Sequence, residues 1–502
     1  MLWLALALVL VAAPAWAQTP TLVQRVGFGA LAPSQGLSAR TFTIRLPNRT
    51  LAGNALVLIT DYDSGATVST ITDDGGGTWS NTPVVSASAS GTLKTEAYVL
   101  ANAATGTRTL AITYSKSVSS VHFVALEYYN VATSGAVGST AGSTAARAPS
   151  IASGTLQPAP ASSGSLVLHY AMNNQGVIGE SNSVHQVSSW VAGPGFTLEA
   201  ADYASGNSGQ LGAMNPFGLE TRIADGTNFS PTLTTTGTET YNAIAFELKA
   251  ASAGTAPPPG IRIQRMQFFT NLDINLHTWT EPFPCSGNLL AFTEIQGNIQ
   301  SAMSDNQGNT WTVDNRGSLN SEVALQHAGA AITSSTYVWS APIPAPGNGN
   351  NTTLVMYDIT GADTAAPFVQ VVTASADASN KTSFGNAPTI TPRNPNGLVV
   401  VATAIGQGPL TGLAAAAPAT AFFMPVTYAG ETDFDSFNNA DGYAVNYYGS
   451  SLATQNYAWT MKSTPNDGYY AAAAEFRAAA GPRPSPPTQF QLSGDPQLDS
   501  GV

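Results

Sequence analysis

Thr72-Asp73-Asp74-Gly75-Gly76-Gly77-Thr78-Trp79 returns 232 residues further on as Ser304-Asp305-Asn306-Gln307-Gly308-Asn309-Thr310-Trp311. Both copies fit (Ser/Thr)-x-(Asp/Asn)-x-Gly-x-Thr-Trp, the chemistry of a tight hairpin turn. Asp74 or Asn306 is expected to bond the turn amides, the glycines allow positive φ, and the tryptophan packs beneath. The same spacing relates Leu166-Val167-Leu168 to Leu398-Val399-Val400, Gln175-Gly176 to Gln407-Gly408, and Glu199 to Glu431. Tyr241 to Glu247 matches Tyr469 to Glu475 at an offset of 228. Matches in one order and nearly one register mark a tandem duplication.

The boundaries follow from composition. Residues 1–17 are apolar and end in Ala15-Trp16-Ala17, a small-x-small pattern that predicts a signal peptide cut before Gln18. Module 1 is then 18–249, an Ala/Pro linker is 250–260, and module 2 is 261–480. Residues 481–502 form a Pro-rich tail, read either as the stub of a truncated fragment or as a short disordered end.

Within each copy the local signals are those of strands. Ala55 to Thr60, Thr109 to Tyr114 and Val121 to Tyr128 are short runs of β-branched and aromatic residues bounded by Gly, Asn, Asp and Ser. Thr41 to Leu46 alternates polar and apolar. No window of a dozen residues sustains a helical stripe. The expected fold is all-β, with two homologous antiparallel β-sandwich (jelly-roll-like) domains in tandem.

The repeated octapeptide resembles the Asp-box of sialidases and related proteins, where it is structural rather than catalytic. With two copies instead of one per propeller blade, the resemblance implies the turn and not the propeller. Each module also resembles a type of secreted bacterial β-sandwich module, mostly uncharacterised. The residues carrying this likeness are the turn, the Ala125 to Tyr128 strand, the Leu-Val-Val-type strand and the closing strand. That resemblance implies fold and compartment and brings no activity.

Composition narrows the function classes. Of 502 residues, 18 are Lys or Arg and 30 are Asp or Glu, a net charge of −12, which leaves no basic field for nucleic acid or an anionic membrane surface. The single cysteine, Cys285, excludes an internal disulfide, a Cys-based zinc site and a redox pair, and reads as a half-buried thiol. None of the five histidines has a metal-ligand spacing, and His169 aligns with Val401, which favours a packed strand position. No later segment is long and apolar enough to insert in a membrane, so the mature chain is expected to be secreted or at the cell surface.

What remains is carboxylates and aromatics. For an enzyme, the acid/base candidates are Glu199 with Asp202 and Glu431 with Asp433, since glycoside hydrolysis needs two carboxyls across one bond. Glu127 has no evident acidic counterpart, Met356-Tyr357-Asp358 standing in its place, whereas Glu247 and Glu475 are equivalent. Asp433, Asp435, Asn438 and Asp441 form a weak calcium candidate that departs from the EF-hand template at Phe437; no other cofactor is expected. Trp190, Tyr203, Tyr443, Tyr447 and Trp459 are expected to offer ring faces on which neutral sugars stack. The first reading is a secreted, non-catalytic binding or adhesion protein, with extracellular glycan the leading ligand class or else another cell-surface component. The alternatives are a jelly-roll polysaccharide hydrolase or lyase and a structural component of a larger surface protein.

Overall fold

A computed structural model describes residues 18–480, except 29–38, 89–92, 119–120, 174–186, 204–215, 237–239, 252–253, 272–277, 296–300, 317–322, 329–333, 343–351, 378–386, 406–413, 417–419, 424–425, 429–439 and 461–467. The signal-peptide and tail segments thus lie outside the described residues. All regular structure among the described residues is β.

The first half supplies β1 (Thr21–Phe28), β2 (Ala39–Arg45), β3 (Ala55–Asp63), β4 (Val68–Asp73), β5 (Val85–Ser88), β6 (Leu93–Leu100), β7 (Thr109–Val118) and β8 (Val121–Tyr129). It continues with β9 (Val137–Arg147), β10 (Ser150–Ala152), β11 (Leu166–Asn173), β12 (Trp190–Val191), β13 (Thr197–Ala201), β14 (Phe217–Ile223), β15 (Thr232–Thr235) and β16 (Thr240–Leu248). The second half supplies β17 (Arg262–Asn271), β18 (Thr278–Pro282), β19 (Leu289–Ile295), β20 (Ser304–Asp305), β21 (Thr312–Arg316), β22 (Val323–Ala328), β23 (Val338–Pro342) and β24 (Thr352–Thr360). Then come β25 (Phe368–Asp377), β26 (Thr389–Ile390), β27 (Leu398–Ile405), β28 (Ala414–Ala415), β29 (Thr420–Phe423), β30 (Val426–Tyr428), β31 (Ala440–Tyr447), β32 (Gln455–Asn456), β33 (Trp459–Thr460) and β34 (Gly468–Phe476).

Ten strands from both halves form one sheet, in the order β21-β22-β19-β24-β17-β1-β8-β3-β6-β5. Read outward from its middle, each side shows the same succession of equivalent strands. At the centre β1 and β17 run parallel, with Arg25 beside Arg265, Val26 beside Met266 and Phe28 beside Phe268. Every other pair in the sheet is antiparallel. The halves read from the sequence as two sandwiches therefore share a central sheet.

That sheet is covered on both faces, which explains the unbroken apolar runs in β3 and β8. From Ala55 to Tyr62 and from Val121 to Tyr128 every residue is buried, because odd and even positions each meet a packed layer. On one face, Phe42, Ile112 and Tyr114 of the small sheet β30-β2-β7-β4, to which the second half lends β30, share a core with Val400, Tyr443 and Ala472 of the second half's outer sheet, β25-β34-β27-β31-β29. On the opposite face, Trp279 and Trp339 of β18-β23-β20 pack on Phe292 and Met356. There too, Leu168, Tyr170 and Phe246 of the first half's outer sheet pack on Val57 and Leu126. Each half thus places its small sheet on the opposite face from the other's. β2 keeps the alternation expected of it, with Phe42 and Ile44 inward. The alanine run of β34 is a strand between β25 and β27.

The box turns follow β4 and β20, and here the structure corrects the reading of which acid does the work. Asp73, not Asp74, accepts the Gly75 and Gly77 amides on Oδ1 and the Trp79 indole on Oδ2 at 2.7 Å. Asp305 repeats this with the Gln307 and Asn309 amides and the Trp311 indole at 2.9 Å. Asp74 and Asn306 point the other way, accepting amides at the start of β7 (Arg108, Thr109) and β23 (Val338). One residue faces the loop and the next the neighbouring strand, as side chains alternate along a strand end. Gly76 and Gly308 take the positive φ the turn requires, +75° and +72°.

Candidate functional site

Glu199 and Asp202 belong to the seam between the halves. On the edge strand β13, Leu198 pairs with Glu220 and Ala200 with Leu219, so Glu199 is the extra residue of a β-bulge. Bulges re-aim side chains, and this one carries the carboxylate to β17. There Arg265 grips it with both prongs of the guanidinium, Nε to Oε1 at 2.7 Å and Nη2 to Oε2 at 3.2 Å. The third prong, Nη1, donates to Asp358 Oδ2 at 2.9 Å. Burial alone would lower the pKa of Arg265; Glu199 and Asp358 more than reverse that. Arg25 lies alongside, fully buried, with Nη1 donating to Gln267 Oε1 at 3.0 Å and Nε 3.7 Å from Glu199 Oε1. Desolvation brings its guanidinium down to about 10, against the pull of Glu199. Two guanidiniums and two carboxylates balance in charge, the condition under which buried ions are tolerated.

Three residues along, Asp202 meets Glu281 of β18. Glu281 Oε2 accepts the Tyr203 amide at 2.8 Å, which brings it next to Asp202, and its Oε1 accepts the Trp279 indole at 2.9 Å. Burial first, and then the neighbouring carboxylate, drive Asp202 well above the usual range. Burial likewise lifts Glu281 to about 7. Neighbouring buried carboxyls disfavour each other's ionised form.

The carboxylates expected as an acid/base pair are therefore separated in role. Glu199 is ion-paired with Arg265, and Asp202 lies beside Glu281 across the seam; both are buried. Glu431 and Asp433 lie outside the described residues. So do Asp435 and Asn438 of the calcium candidate, while Asp441 lies on β31 opposite Ala404. Among the described residues no group of three or more His, Cys, Asp or Glu is arranged to hold a metal.

Of the five aromatics expected as a sugar platform, Trp190, Tyr203, Tyr443 and Trp459 are buried and Tyr447 is half-buried, which corrects that reading for the first four. Trp190 is 6% exposed, donates its indole N–H to the Asp202 carbonyl at 2.8 Å and meets Tyr241 edge-on. Its ring lies over Gly218, where an added Cβ would come within 2.7 Å of it. Trp459, 1% exposed, lies over Gly442 in the same way, at 2.5 Å. Tyr203 is buried beside Glu281, and Tyr443 packs edge-on against Phe268. Tyr447 accepts the Ile263 amide at 2.9 Å, tying β31 to β17. The glycines beneath Trp190 and Trp459 make these two sites parts of a core.

The remaining carboxylates fasten loops. Glu127 and Asp358, opposite Leu56 and Leu290, occupy equivalent places, so Asp358 is the acidic counterpart that the sequence comparison missed. Glu127 accepts the Leu51 amide and the Asn54 and Gln24 side chains; Asp358 accepts the Ser286 and Gly287 amides and Arg265. Glu247 likewise takes the Ser139 and Ser162 amides, and Glu475 those of Arg393 and Asn394. His169 is fully buried against Glu220 at 2.7 Å, a packed strand position as expected. Cys285 is buried rather than half-buried, and desolvation pushes its thiol far up, away from the thiolate a nucleophile needs.

Sequence reasoning missed Arg25, Arg265, Asp358 and Glu281. A signal was present: Gln24-Arg25 and Gln264-Arg265 interrupt apolar strands at matching places in the two copies. Comparison with models of known protein families and with curated proteins gives no match.

Proposed function

We propose that the chain is an exported, non-catalytic binding or adhesion protein, acting outside the cell or at its surface on a glycan or another surface component. One observation carries this reading: the described carboxylates that could serve as acid and base are committed to the fold. Glu199 is ion-paired, Asp202 and Glu281 are buried beside one another, and Glu127, Asp358, Glu247 and Glu475 fasten loops. A glycosidase needs two carboxyls facing one solvent-reachable bond. The burial of Trp190, Tyr203, Tyr443 and Trp459 moves any glycan contact away from them. The structural-component reading draws support from the shared central sheet, which makes a stiff unit of two repeats.

A screen of the purified protein against soluble and insoluble polysaccharides, with and without calcium, tests the proposal. Retention without release of reducing ends is the expected result. Released reducing ends that persist through repurification would replace it with a hydrolase, and silence on both counts would favour the structural component.

A further inference from the structure

Cleavage after Ala17, which belongs to the export proposed above, makes Gln18 the first residue of the mature chain. Gln18 is exposed and stands in the short irregular stretch 18–20 that leads into β1. The chain is fastened immediately behind it. The Thr19 carbonyl accepts the Thr21 hydroxyl at 3.0 Å and the Asn130 side-chain amide at 3.4 Å, and Pro20 is buried. Thr21 then pairs with Tyr129 of β8. Gln18 itself has no hydrogen-bond partner among the described residues, through its backbone nitrogen or its side chain. An amine and a carboxamide of one residue are thus left side by side, with nothing in the fold competing for either.

We propose that Gln18 of the mature chain closes on itself to a pyroglutamate. The α-amine freed by cleavage attacks the Gln18 side-chain Cδ, and the new N–Cδ bond closes a lactam. The Cδ–Nε2 bond breaks, and the proton given up by the amine leaves with Nε2 as ammonia. The step consumes no co-reactant, and both reacting groups are already held within one residue. Because neither group is bonded elsewhere, closure costs the fold no contact. Its effect is protective: a lactam offers no free amine to an aminopeptidase, and Pro20, which has no N–H and a fixed φ, stands two residues behind it. Together they seal the free end of β1, a middle strand of the shared sheet, in a protein held outside the cell.

The test is the amino-terminal peptide of protein exported from its full-length precursor and incubated at neutral pH. The expected chain begins at Gln18, is lighter than its sequence by one ammonia, and yields no residue in amino-terminal sequencing. A chain that begins at Gln18 with full mass and a readable first residue would overturn the lactam and leave export standing. A mature chain that starts at another residue, or one that retains residues 1–17, would remove the cleavage itself and the lactam with it. In Gln18→Glu, whose carboxylate is a poor acceptor for the amine, the first residue should stay readable. An aminopeptidase should remove it from the variant and stop before Thr19-Pro20, while wild type resists. Equal trimming of the two proteins would contradict a sealed end.

Discussion

Arg265, on the first strand of the second half, holds Glu199, on an outer strand of the first, through two hydrogen bonds of 2.7 and 3.2 Å. The pairing couples the halves by charge where β1 and β17 couple them by backbone. Removing one partner of a buried pair strands the other. Glu199→Gln is therefore expected to destabilise the protein by about 3–5 kcal/mol in urea unfolding. Any loss of ligand retention should track unfolding and vanish where the variant is still folded. A fully stable Glu199→Gln would mean that the ion pair holds nothing.

Gly218 and Gly442 are occupied from above by Trp190 and Trp459. In either case an added methyl has to displace an indole ring. Gly218→Ala and Gly442→Ala should each cost about 1–3 kcal/mol, as overpacked cores do. Thermal melts of the two variants check this, and an unchanged melting temperature would place the rings elsewhere.

Trp190→Ala and Trp459→Ala separate core from ligand platform. About 3–5 kcal/mol of stability should go with each ring. Polysaccharide retention, measured at a temperature where the variants remain folded, should stay at the wild-type level. Selective loss of retention with stability intact would restore the rings as a binding surface.

At the acid end the box turn and a loop fastener set the response. Amide and side-chain donors hold Asp305 and Glu247 below the ordinary carboxylate range, outweighing the upward push of burial. Their contribution is present above the unfolded carboxylate values and is lost as pH falls through the folded ones. Stability therefore falls as the solution is acidified. Urea midpoints across pH trace it; in Asp305→Asn the acid limb should flatten, and a limb as steep as that of wild type would remove Asp305 from it.

The β class and the central strands were legible because they leave local marks. Ala55 to Thr60 and Val121 to Tyr128 are apolar without interruption since both faces are covered, and a turn built of Gly, Asp and Trp is readable by its chemistry. The β1–β17 pairing joins strands far apart in the chain, and such parallel neighbours have no turn between them to give the register away. Arg25 and Arg265 escape a sequence reading because their partners come from distant strands. Trp190 and Trp459 read as loop aromatics because the glycines that make room for them lie elsewhere in the chain. The choice of Asp74 over Asp73 was a slip of one residue, enough in a strand end to exchange loop for neighbour.

Calorimetry of the intact chain tests the shared central sheet most directly. If β1, β17 and the Glu199–Arg265 pair join the halves, the protein unfolds in one transition with equal calorimetric and van't Hoff enthalpies. Two separable transitions, each with the enthalpy of one half, would mean that the repeats fold independently and that the seam is not what holds them.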